Sequence, residues 1–383
     1  MRFTKSILIM VFLTIPGLAQ TIRVEPAGNP AGPGSLEAHW STAADGAPLL
    51  SWIDTLKDGS SALRYSIRRG SKWSEPRTII ANRHFFRQPA ESPSVVSFPD
   101  GSLLAEWVEI PEGASEAEYI YVSASKDGAK WTPPIMAHRD RTPVQHALVS
   151  MAVSGEREAS LVWLEALKGE DEPSVLIRTV VSSDGKIVKE ETLDSDVCTC
   201  CPTSIVKTSR GLLVAYRDHT PKNIRDIATV RYENGKWLSS KILHPDKWEI
   251  NACPVNGAFA SAKGDRVAIA WYTEGDDMPR VQLLFSTDGG ATFGKLVKVS
   301  IGNALGHASV ALNENGSAYV SWIEEGDKSS RLFIRSVSGN EVAGPVTKVA
   351  DGSLGYPRLL HTRNETWIAW GDAKTGVKTA QLK

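Results

Sequence analysis

The chain has 383 residues, with 43 Lys+Arg set against 44 Asp+Glu and a formal net charge of -1. So even a balance, without basic runs, excludes the clustered positive surface that nucleic-acid binding requires. The length would suit two or three ordinary domains, but the pattern described below assigns residues 20–383 to one closed unit.

At the N-terminus, Arg2 and Lys5 precede the apolar run Ile7 to Ile15, and Gly17-Leu18-Ala19 supplies small residues at a cleavage point. Residues 1–19 read as a secretory signal peptide, with the mature chain starting near Gln20. The product is expected to be exported to the periplasm or the extracellular space. No cysteine follows the cut, and no later stretch is apolar enough to span a bilayer, so neither a lipid anchor nor membrane insertion is expected.

One short phrase then recurs seven times: small or aliphatic residues, an aromatic, and usually an acid two places on. The aromatics are Trp52, Trp107, Trp163, Tyr216, Trp271, Trp322 and Trp370, spaced 55, 56, 53, 55, 51 and 48 residues apart. A period near 50 residues is the signature of a repeated supersecondary unit, here the blade of a β-propeller. In the second unit, Ser92 to Phe98 reads as a first strand, Pro99-Asp100-Gly101 as a turn, and Leu103 to Glu109 as a second strand. Tyr119 to Ala124 follows as a third and the segment from Trp131 as a fourth. Short strands punctuated by Asp-Gly and Asn-Gly turns indicate antiparallel sheets and an all-β chain. The seventh unit, Tyr356 to Leu382, holds only three strands, and Thr21 to Glu25 is the spare one. Pairing the two would close a ring of seven four-stranded blades, with six blades as the alternative.

The turns between third and fourth strands carry a second motif. Ser286-Thr-Asp288-Gly-Gly290-Ala-Thr-Phe293 has the form S-x-D-x-G-x-x-F, Ser125 to Trp131 is one residue shorter, and Ser183-Asp184-Gly185 is a remnant. The aspartate is suited to accept turn N–H groups, and glycine to positive φ. On these residues the chain resembles the Asp-box (BNR repeat) propellers of the sialidase-like superfamily, over essentially the whole mature sequence. The resemblance implies a propeller whose Asp-boxes lie opposite its working face, and a glycan or other polar small molecule as ligand.

In a propeller, loops entering the first strand and leaving the second share one mouth of the central channel. The entering loops bring Glu37, His39, Arg87, Glu91, His146, Cys198 to Cys201, Cys253, His307, Tyr356 and Arg358 there. The acids after the second strands, such as Asp54, Glu109 and Glu324, read either as solvated strand ends or as a negative ring. Blades four and five are the most unusual, with Cys198, Cys200, Cys201 and Cys253 as the only cysteines, beside Arg217, Asp218, His219, Arg225 and Asp226. Cys201-Pro202 and Cys253-Pro254 read as the same repeat position in adjacent blades.

Three chemistries compete for the cysteines. Export favours disulfides, either Cys201–Cys253 with Cys198–Cys200 or Cys200–Cys201 with Cys198–Cys253. A copper(I) or zinc site could add His146, His219 or His307 to the thiolates. A redox-active vicinal pair is the third. The sialidase resemblance implies ligand-binding arginines, for which Arg217, Arg225 and Arg358 are the candidates together with His219. It also implies a proton donor, Asp218 or Asp226, and a tyrosine nucleophile, Tyr356. The family's Phe-Arg-Ile-Pro opening has its nearest counterpart in Phe86-Arg87-Gln88-Pro89, in blade two. The leading expectation is an exported propeller that recognises a glycan, and could hydrolyse it as an exo-sialidase-like glycosidase. The rival is a non-catalytic metal-binding or protein-assembly propeller.

Overall fold

The structure, a computed structural model, describes residues 21–113, 117–167 and 174–383. The signal-peptide assignment lies outside the described residues. The remainder forms seven separate antiparallel sheets in chain order, which is the seven-bladed ring and not the six-bladed alternative. The first strands of the blades are Leu36–Thr42, Ser94–Ser97, His146–Val153, Ser204–Thr208, Ala258–Lys263, Ala304–Leu312 and Arg358–Thr362. Each packs on its neighbours, and that of blade seven packs on that of blade one. The outer strand is split in two in blades one and four, where Lys72–Trp73 with Arg77–Ala81, and Lys236–Trp237 with Lys241–Ile242, share the edge.

The ring is closed as the sequence predicts. Val24–Pro26 pairs antiparallel with Gly376–Leu382 and so becomes the outer strand of blade seven. Reciprocal backbone bonds between Arg23 and Lys383, at 2.7 and 2.9 Å, extend the seam, and Ile22 is buried beneath it. Both ends of the described chain thus stitch one blade, and the C-terminal strand is paired on both of its sides.

The repeated phrase is the second strand of each blade. In Leu103–Glu109 every residue is buried, because neighbouring blades cover both of its faces. A strand covered on both sides reads as an apolar run and not as an alternation. Trp52, Trp107, Trp163, Trp271 and Trp322 are fully buried. Blade seven departs from the pattern. Trp370 is only partly buried, and Trp367 fills the core instead, 6.3 Å from Trp40 of blade one.

In blades one, two and six the acid two places after the aromatic is not a solvated strand end, whereas Glu165, Asp218 and Asp372 are partly exposed. Asp54, Glu109 and Glu324 are all buried. The indole N–H of Trp322 donates to Glu324 at 2.8 Å, and the same carboxylate oxygen accepts the Ile301 and Gly302 N–H groups at 2.9 and 3.0 Å. Trp107 likewise donates to Glu109, which a bidentate Arg83 neutralises at 2.7 Å on each oxygen. In blades two and six the acid therefore satisfies the one polar atom of a buried tryptophan, while Trp163 donates to Thr179 and Trp271 to Asp246.

The Asp-boxes form turns between third and fourth strands. Asp288 accepts the Thr292 N–H at 2.9 Å and Ser286 accepts the Gly290 N–H at 2.9 Å. In the blade-two copy, Asp127 accepts the Ala129 and Lys130 N–H groups at 2.8 and 2.9 Å. In the blade-three remnant the serine partner of Asp184 is Ser182, not Ser183. Gly290, at φ +81°, fits against the preceding blade so tightly that a Cβ would stand 2.1 Å from Leu213.

Replacing Glu324 with Ala strands one indole and two backbone donors. The expected loss is about 2–4 kcal/mol of unfolding free energy in urea, at about 1–3 kcal/mol per buried unsatisfied group with some recovered by water. Glu75→Ala, at an exposed position, should change nothing.

Candidate functional site at the channel mouth

Strand register fixes which residues of different blades meet. The residue preceding each repeat aromatic pairs with His39 in blade one, Ser94 in blade two, Ser204 in blade four, Phe259 in blade five and Arg358 in blade seven. Counted back from these, Glu37, Ser92, Pro202, Gly257 and Tyr356 share one position, and Glu91, Cys201 and Asn256 share the position before it. Cys201 therefore corresponds to Asn256. Cys253 lies three residues further out, which corrects the alignment of the two Cys-Pro pairs read from sequence.

Blades one, three and six carry a bulge at this point. Glu37, Leu148 and His307 have φ of +57°, +60° and +52°, each inside a break in the ladder with the second strand. A bulge re-aims the side chains that follow it and frees an amide. The freed amides are taken by the neighbouring blade. Glu91 accepts the Leu148 N–H, and the Val149 N–H at 3.2 Å; Asn256 accepts the His307 N–H at 2.7 Å.

Two cavities adjoin the mouth. One, of about 180 Å³, is the channel itself, with wall residues from all seven blades, among them His39, Ser92 and Arg358. The other, of about 250 Å³, lies over blades seven, one and two and is lined by Glu37, Arg87, Ser92, Leu354, Gly355 and Tyr356 among others. Tyr356 borders both. Its hydroxyl crosses the mouth to donate to the Val255 carbonyl, and its ring stacks on His307 at 4.0 Å. Arg358 lies 5.3 Å from the Tyr356 ring centre and donates to Ser92 Oγ at 3.3 Å.

Burial neutralises most of the titratable groups here. The carboxyl of Glu37 is pushed up to about 8 by burial, with Arg87 opposing and Glu91 adding to the shift. Glu91 is likewise raised to about 8, chiefly by burial, and Glu106 behind it is raised as well. His39 falls to about 3 and His307 to about 4, through burial and then the Arg358 charge. At neutral pH the mouth thus holds uncharged acids and imidazoles around one buried cation, Arg358, itself lowered by burial only to about 10.

At blades four and five, several expected ligand groups are committed to the fold. Arg217 is 1% exposed. Its guanidinium donates to the Asn256 carbonyl at 2.9 and 2.6 Å, to Arg225 O at 2.6 Å and to Tyr272 O at 2.8 Å. Four of its five N–H groups are thus committed to backbone carbonyls, so it holds loops together, which corrects its assignment as a ligand arginine. Asp226 is buried and accepts the Lys247 and Trp248 N–H groups at 3.0 and 3.1 Å, so it too is a loop anchor and not a proton donor. Asp218 is half-buried and raised to about 6 by burial and by Asp194 and Asp196. His219 is held between Asp196 at 2.6 Å and Asn223 at 3.0 Å, in the same rim cluster. The phenol of Tyr356 is pushed up by burial, and its hydroxyl is occupied by Val255, so it is not poised as a nucleophile.

The four cysteines are unbridged. Cys198 Sγ lies 3.5 Å from Cys201 Sγ and 3.8 Å from Cys200 Sγ, and accepts from Arg225 Nη1 at 3.4 Å. Cys253 interacts with Cys200 across the blade boundary. The Cys198 thiol is held well below the usual range by hydrogen bonds from Cys200 and Cys201, with the Arg217 charge helping. Cys253 falls to about 7 beside Cys200, whereas burial pushes Cys201 up to about 12. His146 stands apart from this cluster. It stacks on His138 at 3.9 Å and groups with Asp140 and Glu165 in blade three. His307 faces Tyr356. Asn256 and Glu91 escaped sequence reasoning as joint-makers, because their equivalence to Cys201 emerges only from the ladder register.

Glu91 gives a pH signature. Its unfolded carboxyl ionises near its ordinary value of 4.5 and its folded one near 8, so the folded state keeps a proton that the unfolded state has lost. That stability is fully present below 4.5 and lost as pH rises through 8. Unfolding free energy should therefore fall across this window, and more shallowly in Glu91→Gln, as urea titrations at successive pH values would show.

No protein-family model and no curated protein matches the sequence. Solved structures do. The BP39L lectin of Burkholderia pseudomallei superposes with a TM-score of 0.60 at 12% identity, over 91% of this chain and 95% of that one. A protein of unknown function from Dyadobacter fermentans gives 0.52 at 15%, over 96% and 100%. The α-L-arabinofuranosidase Arb93A of Fusarium graminearum, solved with an iminosugar inhibitor, gives 0.50 at 15%, over 94% and 96%. At these identities the likeness is one of fold alone, and by that fold the chain is a seven-bladed β-propeller.

Proposed function

We propose that the protein is an exported glycan-binding propeller whose sugar site is the 250 Å³ cavity over blades seven, one and two. The observation that carries this reading is the cavity wall in which half-buried Glu37 stands with Arg87, and burial raises the Glu37 carboxyl to about 8, favouring its protonated, donating form at neutral pH. A neutral acid and a guanidinium are both donors to hydroxyl oxygens. The rings and chains of Tyr356, Leu354 and Pro89 offer apolar surface for the C–H face of a sugar, the usual blend of a small-molecule site. The lectin and the arabinofuranosidase with the same fold support a carbohydrate ligand by analogy only.

Binding is favoured over hydrolysis. Glycoside hydrolysis ordinarily needs two carboxyl groups facing the bond, and Glu37 is the single carboxyl in the wall of this cavity. The tyrosine alternative is closed by the bond from Tyr356 to Val255.

On a glycan array the mature protein should retain a discrete set of sugars, and Arg87→Ala and Glu37→Ala should each weaken binding about tenfold, the worth of one good hydrogen bond of about 1.4 kcal/mol. Affinity should fall as pH rises through 8, when Glu37 ionises and ceases to donate. A folded protein that binds nothing on the array overturns the proposal. Release of aglycone from aryl glycosides, abolished in Glu37→Gln, would convert it to a hydrolase.

A further inference from the structure

We infer that Cys198, Cys200 and Cys201 form the three-sulfur floor of a site for a thiophilic d10 cation, zinc(II) or copper(I), with Cys253 as the fourth, solvent-facing position. This goes beyond the sugar-binding reading and does not depend on it.

The geometry is that of a coordination polyhedron and not of a cross-link. Sulfurs bound to one zinc ion at about 2.3 Å in a tetrahedron lie about 3.8 Å apart, whereas a disulfide brings them to about 2.05 Å. The separations here are 3.5 and 3.8 Å, and all three sulfurs lie within 4.8 Å of one another. Cys198 and Cys201 are each 1% exposed, Cys200 is half-buried and Cys253 is exposed. The cluster is thus closed toward the propeller and open toward solvent on the Cys253 side, which gives an ion a way in.

Its surroundings suit an anionic site. Arg225 donates to Cys198 Sγ at 3.4 Å, the outer-shell contact that orients a thiolate ligand. Arg217 lies behind it, and the Arg225 carbonyl that Arg217 grips fixes the loop carrying that guanidinium. Four thiolates, one divalent ion and the Arg225 and Arg217 cations sum to zero charge, which ranks zinc above copper. Cys201 also stands where other blades place a joint-making Glu91 or Asn256. The sulfur replaces a hydrogen-bonding residue at a position where the fold does not demand it.

The test is metal content of the mature chain, purified without chelator, by elemental mass spectrometry after dialysis, and again after loading with zinc(II) or with copper(I) under anaerobic conditions. About one equivalent of either ion per chain is expected, falling below about a tenth in Cys200→Ser, a half-buried position chosen so that folding survives. Cobalt(II) should give a thiolate-to-metal charge-transfer band that Cys200→Ser loses, and the loaded protein should resist thiol alkylation until denatured. Cys253→Ser should retain the ion but release it faster to a chelator. Failure to hold either ion, retention unchanged in folded Cys200→Ser, or an intact mass four hydrogens light in freshly exported protein, meaning two disulfides, would each overturn the inference. Sugar binding is not read in any of these measurements, so it stands or falls separately.

Discussion

The inner strands of seven separate sheets converge on the channel without sharing a ladder, so side chains must make the joints between blades. Ser51 Oγ donates to the Pro93 carbonyl at 2.9 Å, joining blade one to blade two. Thr203 is within 3.0 Å of the Leu148 and Val162 carbonyls, joining four to three. Ser204 and Ser309 accept the amides of Ala260 and Leu359 at 3.0 and 3.1 Å, joining four to five and six to seven. Hydroxyls suit this work because each can donate or accept on a backbone group that would otherwise be buried unpaired. Where the first strand bulges, the joint needs a longer acceptor, and Glu91 and Asn256 supply it.

The channel mouth inherits its chemistry from these joints. A position that binds neighbouring blades in one repeat is released in another, and the released positions are where unusual residues accumulate. Cys201 replaces the joint-maker in blade four. Tyr356 in blade seven reaches instead across the opening to Val255 of blade five. That tyrosine lies between two different environments: the cavity with Glu37 and Arg87, and the blade-four cysteines. A propeller with nearly equivalent blade cores can therefore present a donor-rich pocket on one side of its mouth and soft ligands on the other.

Much of this was legible in the sequence, because the fold is written in a period. The repeat aromatics, the spare N-terminal strand and the Asp-box turns each depend on local residues and on spacing, and they took the expected form except at Trp370 and in the blade-three turn. What sequence could not supply is register. The bulges at Glu37, Leu148 and His307 and the longer approach to blade five shift the count between equivalent positions, which is why Cys253 was matched to Cys201 in place of Asn256. The repeated acids were misread for a related reason. An acid two residues from a tryptophan looks like the end of a strand reaching water, and only the side-chain geometry shows it receiving the indole N–H, as Glu324 does from Trp322. Arg217 looked like a ligand arginine because its loop faces the mouth, but four bonds to carbonyls turn it inward.

The central claim is that the mouth carries a neutral acid at Glu37 as its polar centre. The direct measurement is an infrared pH titration of the carboxylic C=O stretch, taken as the difference between the native protein and Glu37→Gln. A protonated-carboxyl band present at pH 6 and lost with a midpoint near 8 is the predicted result. A difference spectrum already showing carboxylate at pH 6 would mean that Glu37 is an ordinary ionised side chain, and the sugar site built on its donor would have no basis.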